Sequence, residues 1–139
     1  MSATPGPDGE FDKVLVVDFG AQYAQLIARR VREANVYSEI ISPRSTAAEI
    51  AAKAPTGIIF SGGPDSVHAD GAIAIDPAVY DLDIPILGIC YGAQLIAQQN
   101  GGTVGRTDRG EYGRTALTIE GDGGTLLSGT PTQQYVWIC

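Results

Sequence analysis

The sequence predicts an α/β fold: an open, mostly parallel sheet with helices on both faces. Three observations carry that reading. Short apolar runs rich in β-branched residues alternate with longer amphipathic stretches through 13–100, the order expected of repeated strand–helix units. Apart from 36–41, which holds Ser38 and Glu39, the runs are mostly apolar, as strands covered on both faces are, instead of alternating with polar residues. Three of them stop at short turns, Asp18-Phe19-Gly20, Ser61-Gly62-Gly63 and Gly88-Ile89-Cys90. In parallel sheets, sites lie at the carboxyl ends of strands, so these turns can converge on one crevice. Strand order is left open by the sequence.

The elements follow in order. Residues 1–12 are polar, with Pro5, Gly6, Pro7 and Gly9, and read as a disordered leader before a domain at 13–139. Residues 13–19 form a first buried strand. Residues 22–34 carry Tyr23, Leu26, Ile27, Val31 and Ala34 on one face and Arg29, Arg30 and Arg32 on the other, an amphipathic helix with a solvated basic side. A second strand spans 36–41. Thr46 opens a helix that runs to Lys53, with Glu49 at the capping-box position. Residues 57–60 are a third strand and 65–74 an irregular polar stretch. Residues 76–80 are a short helix with Pro77 in its first turn. Residues 84–89 are the fourth strand, and 92–99 a helix closed by Asn100 and Gly101. Beyond a Gly-rich loop at 105–113 the pattern changes. Residues 115–120 alternate like an antiparallel strand, 121–124 are a turn, and 134–138 begin another strand.

Composition excludes several function classes. With 139 residues the chain is long enough for a domain with its own core. A net charge of −7 argues against nucleic-acid binding through phosphate contacts. Cys90 and Cys139 are too far apart to suggest a disulfide framework or a metal cluster. No early segment joins a basic start to a long apolar run, and no apolar run is long enough to span a membrane. The expectation is therefore a cytoplasmic protein.

The chemistry points to Cys90. Gly88-Ile89-Cys90-Tyr91-Gly92 is a G-x-C-x-G turn between a strand and a helix, the nucleophile-elbow pattern with Cys in place of Ser. A sharp turn of this kind lifts one side chain out of the sheet, and the flanking glycines let backbone pack closely on either side. The helix N-terminus beneath favours a thiolate. The alternative is a small buried core thiol. At 62–63 two glycines end a strand, where backbone N–H groups can turn toward an anion. Beside a nucleophile, that anion is the oxyanion of a tetrahedral intermediate, with the N–H of Tyr91 as the second donor. The alternative is an ordinary glycine turn.

Two further features weigh less. Ser61-Gly62-Gly63-Pro64-Asp65-Ser66 matches the loop of ATP pyrophosphatases. Pro64 lacks an N–H, however, and 67–71 do not start an amphipathic helix. His68 is the sole histidine and so a formal candidate for the base a Cys nucleophile needs; the other reading is an exposed bystander.

Taken together, a strand ending in Gly-Gly-Pro and a later Gly-x-Cys-x-Gly-x-Gln resemble the class I, triad-type glutamine amidotransferases, whose domain is flavodoxin-like. Within that group Val17-Asp18-Phe19-Gly20-Ala21-Gln22-Tyr23, Glu111-Tyr112-Gly113 and Val136-Trp137 resemble the glutaminase domain of GMP synthases, and the likeness covers 13–138. The resemblance implies that Cys90 attacks the side-chain amide of glutamine and passes through a glutamyl thioester. Gly63 and Tyr91 would be the oxyanion donors, and Gln94 with Gly62 would hold the substrate. It implies no cofactor in this domain. ATP and Mg²⁺ would belong to a separate ATP pyrophosphatase domain or subunit that aminates XMP, in an enzyme that is typically a homodimer. In the family, Val-Trp is followed by a Ser-His-Gly-Asp segment and later by a His-Pro-Glu motif holding the base. Here Ile138-Cys139 follow, so the reading expects a fragment, incomplete at its C-terminal side, with little glutamine hydrolysis of its own. Cys90-dependent ammonia release by the chain would contradict that expectation. Two other readings stand beside it. One is another enzyme on the same elbow, either a different triad amidotransferase subunit or a Cys hydrolase of related fold, where specific labelling by a glutamine-like electrophile would favour the amidotransferase. The other is a non-catalytic docking subunit, which co-purification with a synthetase chain would support.

Overall fold

The structure is a computed structural model that describes residues 11–20, 22–63, 71–105 and 113–138. It divides into two compact units, 1–104 and 105–139.

The first unit is built on four parallel strands: β1 (Lys13–Val17), β2 (Tyr37–Ile41), β3 (Gly57–Phe60) and β4 (Ile86–Gly88). Their order is β2-β1-β3-β4. The chain lays β2 on one side of β1 and then crosses to build β3 and β4 on the other. The order therefore reverses between β1 and β3, where crevices open in such sheets.

Side chains alternate between the two faces of this sheet. Leu15, Val17, Ile58 and Phe60 pack with Ile50, Val79 and Leu95 on one face. Val16 packs with Ala24, Ala28 and Ile59 on the other. Ile50 belongs to α2 (Ala47–Ala52), Val79 to a 3₁₀ turn (Pro77–Asp81) and Leu95 to α3 (Tyr91–Gln99). Ala24 and Ala28 belong to α1 (Ala24–Glu33). Helices therefore cover both faces, as the sequence predicts. Each large side chain buried here, such as Leu15 or Ile58, contributes roughly 1.5–3 kcal/mol from removal of apolar surface.

The inward face of helix α1 is rotated from the one its apolar residues suggest and keeps Ile27, which packs against the inner cluster. Ala24 and Ala28 are buried, whereas Tyr23 and Leu26 are 52% and 46% exposed. Small residues let the helix axis approach the sheet, and the Ser38 hydroxyl donates to the Ala28 carbonyl at 2.7 Å. Helix α2 is capped as expected, with Thr46 Oγ1 accepting from the Glu49 N–H at 3.2 Å.

The second unit pairs β5 (Gly113–Thr118) with β6 (Gln133–Ile138) in antiparallel register, Thr115 opposite Val136. Between them lies a four-residue helix, α4 (Gly124–Leu127), that no periodicity in the sequence announces. Arg114 stacks over the Tyr135 ring at 3.7 Å. Among the described residues no helix is long and apolar enough to cross a membrane.

Candidate active site

Three strand ends meet because β1, β3 and β4 are neighbours running the same way. The join is made by hydrogen bonds that leave the regular ladder. The Ser61 N–H donates to the Val17 carbonyl at 3.1 Å, and the Ile89 N–H to the Phe60 carbonyl at 3.0 Å. Strand β1 stops at Val17, two residues before the apolar run ends. The Phe19 N–H turns instead to the Ser61 hydroxyl at 3.2 Å, and that hydroxyl donates to the Gly62 carbonyl at 3.1 Å. Ser61 is fully buried, so its hydroxyl satisfies buried backbone groups at two strand ends together. Asp18 Oδ1 accepts from the Gly20 N–H at 2.8 Å and closes the turn after β1.

Cys90 stands between β4 and α3 with φ +54° and ψ −116°. That region is one L residues rarely occupy, and holding a side chain there costs on the order of 1–3 kcal/mol. The surroundings enforce it. A Cβ on Gly88 would lie 2.7 Å from the Ala93 backbone, and one on Gly92 would lie 2.4 Å from the Phe60 carbonyl oxygen. Strand and helix approach so closely that only glycine fits on each side of the cysteine. Cys90 caps α3, its carbonyl accepting from Ala93 and Gln94 at 3.0 and 3.2 Å, and its side chain is exposed. The thiol is thus presented to solvent and is not packed in the core.

The turn after β3 lies against the same elbow. A Cβ on Gly63 would sit 3.1 Å from Tyr91 Cγ and 3.2 Å from the Phe19 carbonyl oxygen. Tyr91 is 5% exposed, and its ring lies 5.4 Å from that of Phe19. Gln94, one helical turn after Cys90 and on the same side of α3, is half-buried. Its Oε1 is buried and has no hydrogen-bond partner among the described residues. Cys90, Gly63, Tyr91 and Gln94 are thus grouped around one elbow, with Gly62 adjoining Gly63. His68, Pro64, Asp65 and Ser66 lie outside the described residues, as do Glu111, Tyr112 and Cys139.

The sequence reading missed what braces this group. The Tyr91 hydroxyl donates to the Ile73 carbonyl. The Gln99 amide donates to the Ile75 carbonyl at 2.9 Å and accepts from the Tyr80 hydroxyl at 2.6 Å. Burial pushes the Tyr80 phenol up to about 12. Asp76 accepts from Ala47 N–H at 2.9 Å and from Ala78 N–H at 3.1 Å, which holds its carboxyl below the usual aspartate range. Only Asp76, placed just before Pro77, carried a local signal as a helix cap. Among the described residues no three His, Cys, Asp or Glu side chains are grouped to hold a metal ion.

The family model described as glutamine amidotransferase class-I matches residues 15–138. The chain is similar to the glutamine-hydrolysing GMP synthase of Thermobifida fusca, 57% identical over 138 residues, covering 99% of this chain and 26% of the relative. It is also similar to that of Nocardia farcinica, 62% identical over 125 residues, covering 90% and 24%. The chain therefore spans about a quarter of the length of these relatives. Among solved structures it is similar to a Thermoplasma acidophilum protein described as one subunit of a GMP synthase. There the TM-score is 0.74 and the identity 29%, over 91% of this chain and 63% of that one.

Proposed function

We propose, for a chain that belongs to the class-I glutamine amidotransferase family, that the Cys90 elbow hydrolyses the side-chain amide of glutamine and releases ammonia. The observation that carries the proposal is the strained, exposed cysteine at φ +54°, wedged between two glycines that leave no space for a Cβ. Strain of this kind is retained where it presents a reacting atom.

In this reading the Cys90 sulfur attacks the amide carbon, and the carbonyl oxygen becomes an oxyanion. The backbone N–H groups of Gly63 and Tyr91 receive it, each being an oriented donor that needs no reorganisation during reaction. The carbon–nitrogen bond breaks, ammonia leaves with the proton delivered by the acid–base partner, and a glutamyl thioester remains. Water then cleaves the thioester to glutamate and restores the thiol. In the family reading that acid–base partner is a histidine. Gln94, whose buried Oε1 has no partner among the described residues, and Gly62 line the substrate side. We further assign the ammonia to an ATP-dependent synthetase partner that converts XMP to GMP, supported by the names and identities of the two bacterial relatives. ATP and Mg²⁺ belong to that partner, and no step at Cys90 is routed through them.

The test is covalent capture. A chloromethyl-ketone analogue of glutamine should label Cys90 once per chain, and glutamine, but not asparagine, should slow the labelling. Cys90→Ala should take up no label. Labelling that glutamine fails to slow would overturn the proposal.

A further inference from the structure

We infer that the Tyr91 side chain is a positioning residue for the oxyanion donor at Gly63. The inference rests on the glutamine-hydrolysis reading of this site and concerns the side chain of a residue whose backbone N–H that reading already uses.

Through its backbone and its side chain Tyr91 joins four parts of the fold around the site. Its backbone follows Cys90 directly, so its placement and that of the nucleophile are linked by a single peptide bond. Its face meets Phe19 at the end of β1, ring centroids 5.4 Å apart and planes inclined at 48°. Its Cγ and Cβ lie 3.1 and 3.4 Å from where a Gly63 Cβ would be, so the turn after β3 rests on the base of the ring. Its hydroxyl donates to the Ile73 carbonyl.

That last bond sets the orientation of the ring, because Ile73 belongs to a braced segment. Two residues on, the Ile75 carbonyl accepts from Gln99 at the far end of α3, at 2.9 Å. One further on, Asp76 ties the same segment to the N-terminus of α2 through Ala47, at 2.9 Å. The hydroxyl is thus anchored on backbone that is itself held at two points. With the hydroxyl pinned and Phe19 on one side, the ring has one position, and the Gly63 backbone seats against it.

Oxyanion donors act only within about 2.7–3.1 Å of the developing charge, so a shift of a few tenths of an ångström at Gly63 weakens transition-state binding. Removing the hydroxyl keeps the ring and the packing but releases its tilt. The effect should then appear in reactions that place a carbonyl oxygen at the donor site, and not in the intrinsic reactivity of the thiol.

The experiment compares two alkylating agents on the 139-residue chain. With each, a Cys90 S–C bond forms, a carbon–halogen bond breaks, halide leaves and the thiol proton passes to solvent. The chloromethyl-ketone analogue of glutamine seats its carbonyl oxygen at the donor site; iodoacetamide needs no such seat. For Tyr91→Phe, the ratio of ketone to iodoacetamide rate constants should fall about tenfold, well short of the loss of a whole donor, while the iodoacetamide rate holds. Gly63→Ala, which pushes the turn off the ring from the other side, should lower the same ratio. A Tyr91→Phe ratio equal to wild type overturns the inference. Should Tyr91→Phe fail to fold, an unchanged ratio in Gly63→Ala overturns it instead. A wild-type ketone reaction that glutamine does not slow is a distinct result; it overturns the glutamine reading and this role together.

Discussion

The elbow and the β5–β6 hairpin both depend on glycine, for opposite reasons. At the elbow, Gly88 and Gly92 lie outside the left-handed region and have no space: a Cβ would strike backbone at 2.7 and 2.4 Å. In the hairpin, Gly121 has φ +66° and nothing within 4 Å of its missing Cβ. The first glycines exist so that a strand and a helix can touch; the second exists so that the chain can turn. Between the elbow glycines sits Cys90, a residue with a side chain at φ +54°, where glycine would be at ease. A site that needed only a turn would place glycine there. Cysteine in that position, with glycine forced on both sides, is a turn built around a side chain.

This contrast can be broken by substitution. Gly92→Ala should have the largest effect. Its new methyl meets Phe60 backbone, which cannot rotate away, so the loss should be about 3 kcal/mol or more, with Cys90 labelling abolished. Thermal melting and ketone labelling read both. Gly88→Ala should follow closely, since its contacts include the Ala93 backbone at 2.7 Å. If either variant melts and labels like wild type, strand and helix are not in the contact described.

Three milder variants sharpen the comparison. Cys90→Gly and Cys90→Ala both remove the thiol, but only glycine relieves the backbone. The glycine variant should be the more stable by about 1 kcal/mol or more, measured by denaturant unfolding. Equal stabilities would mean that the elbow is unstrained. Gly121→Ala should cost about 1–2 kcal/mol through its left-handed backbone alone. Its Cys90 labelling rate should match wild type.

Much of this was legible in the sequence, and the gaps have physical causes. Strand β3 falls at 57–60 as read, because a buried parallel strand is a compact apolar run between turn residues. The elbow was legible because its glycine spacing is dictated by local sterics. The inward face of α1 was legible only in part: Ile27 packs inward, but apolar size stood in for burial at Tyr23 and Leu26. Ala24 and Ala28 face the sheet since small residues permit close approach, which leaves Leu26 outside. The strand order β2-β1-β3-β4 could not be read, because strand–helix alternation is the same for several orders. The brace on Tyr91 was hidden for another reason: its acceptor is a backbone carbonyl 18 residues earlier, and carbonyls carry no residue code. Local geometry is written in residue types, whereas long-range polar contacts to backbone are not.

Asp76 offers the smallest test, one in which charge and not steric exclusion holds a segment near the site. Its carboxylate accepts from the Ala47 and Ala78 N–H groups, at two helical N-termini, and these bonds draw its titration below the ordinary aspartate value of 3.8. The sign follows from linkage. A carboxyl whose value is lower in the folded than in the unfolded chain stabilises the fold fully above the unfolded value, and that stabilisation is lost as pH falls through the folded value. Wild type should therefore melt above Asp76→Ala from neutral pH down to about pH 5. The gap should shrink steadily below about pH 4 and close once both states are protonated. Melting curves of the two proteins across pH 3–7 measure it. A gap that stays constant with pH would assign the role of Asp76 to packing and leave the segment carrying Ile73 and Ile75 held by Tyr91 and Gln99 alone. In that case the tether on the oxyanion turn would be weaker than these contacts imply, and Tyr91→Phe should then disturb the site by less than about tenfold.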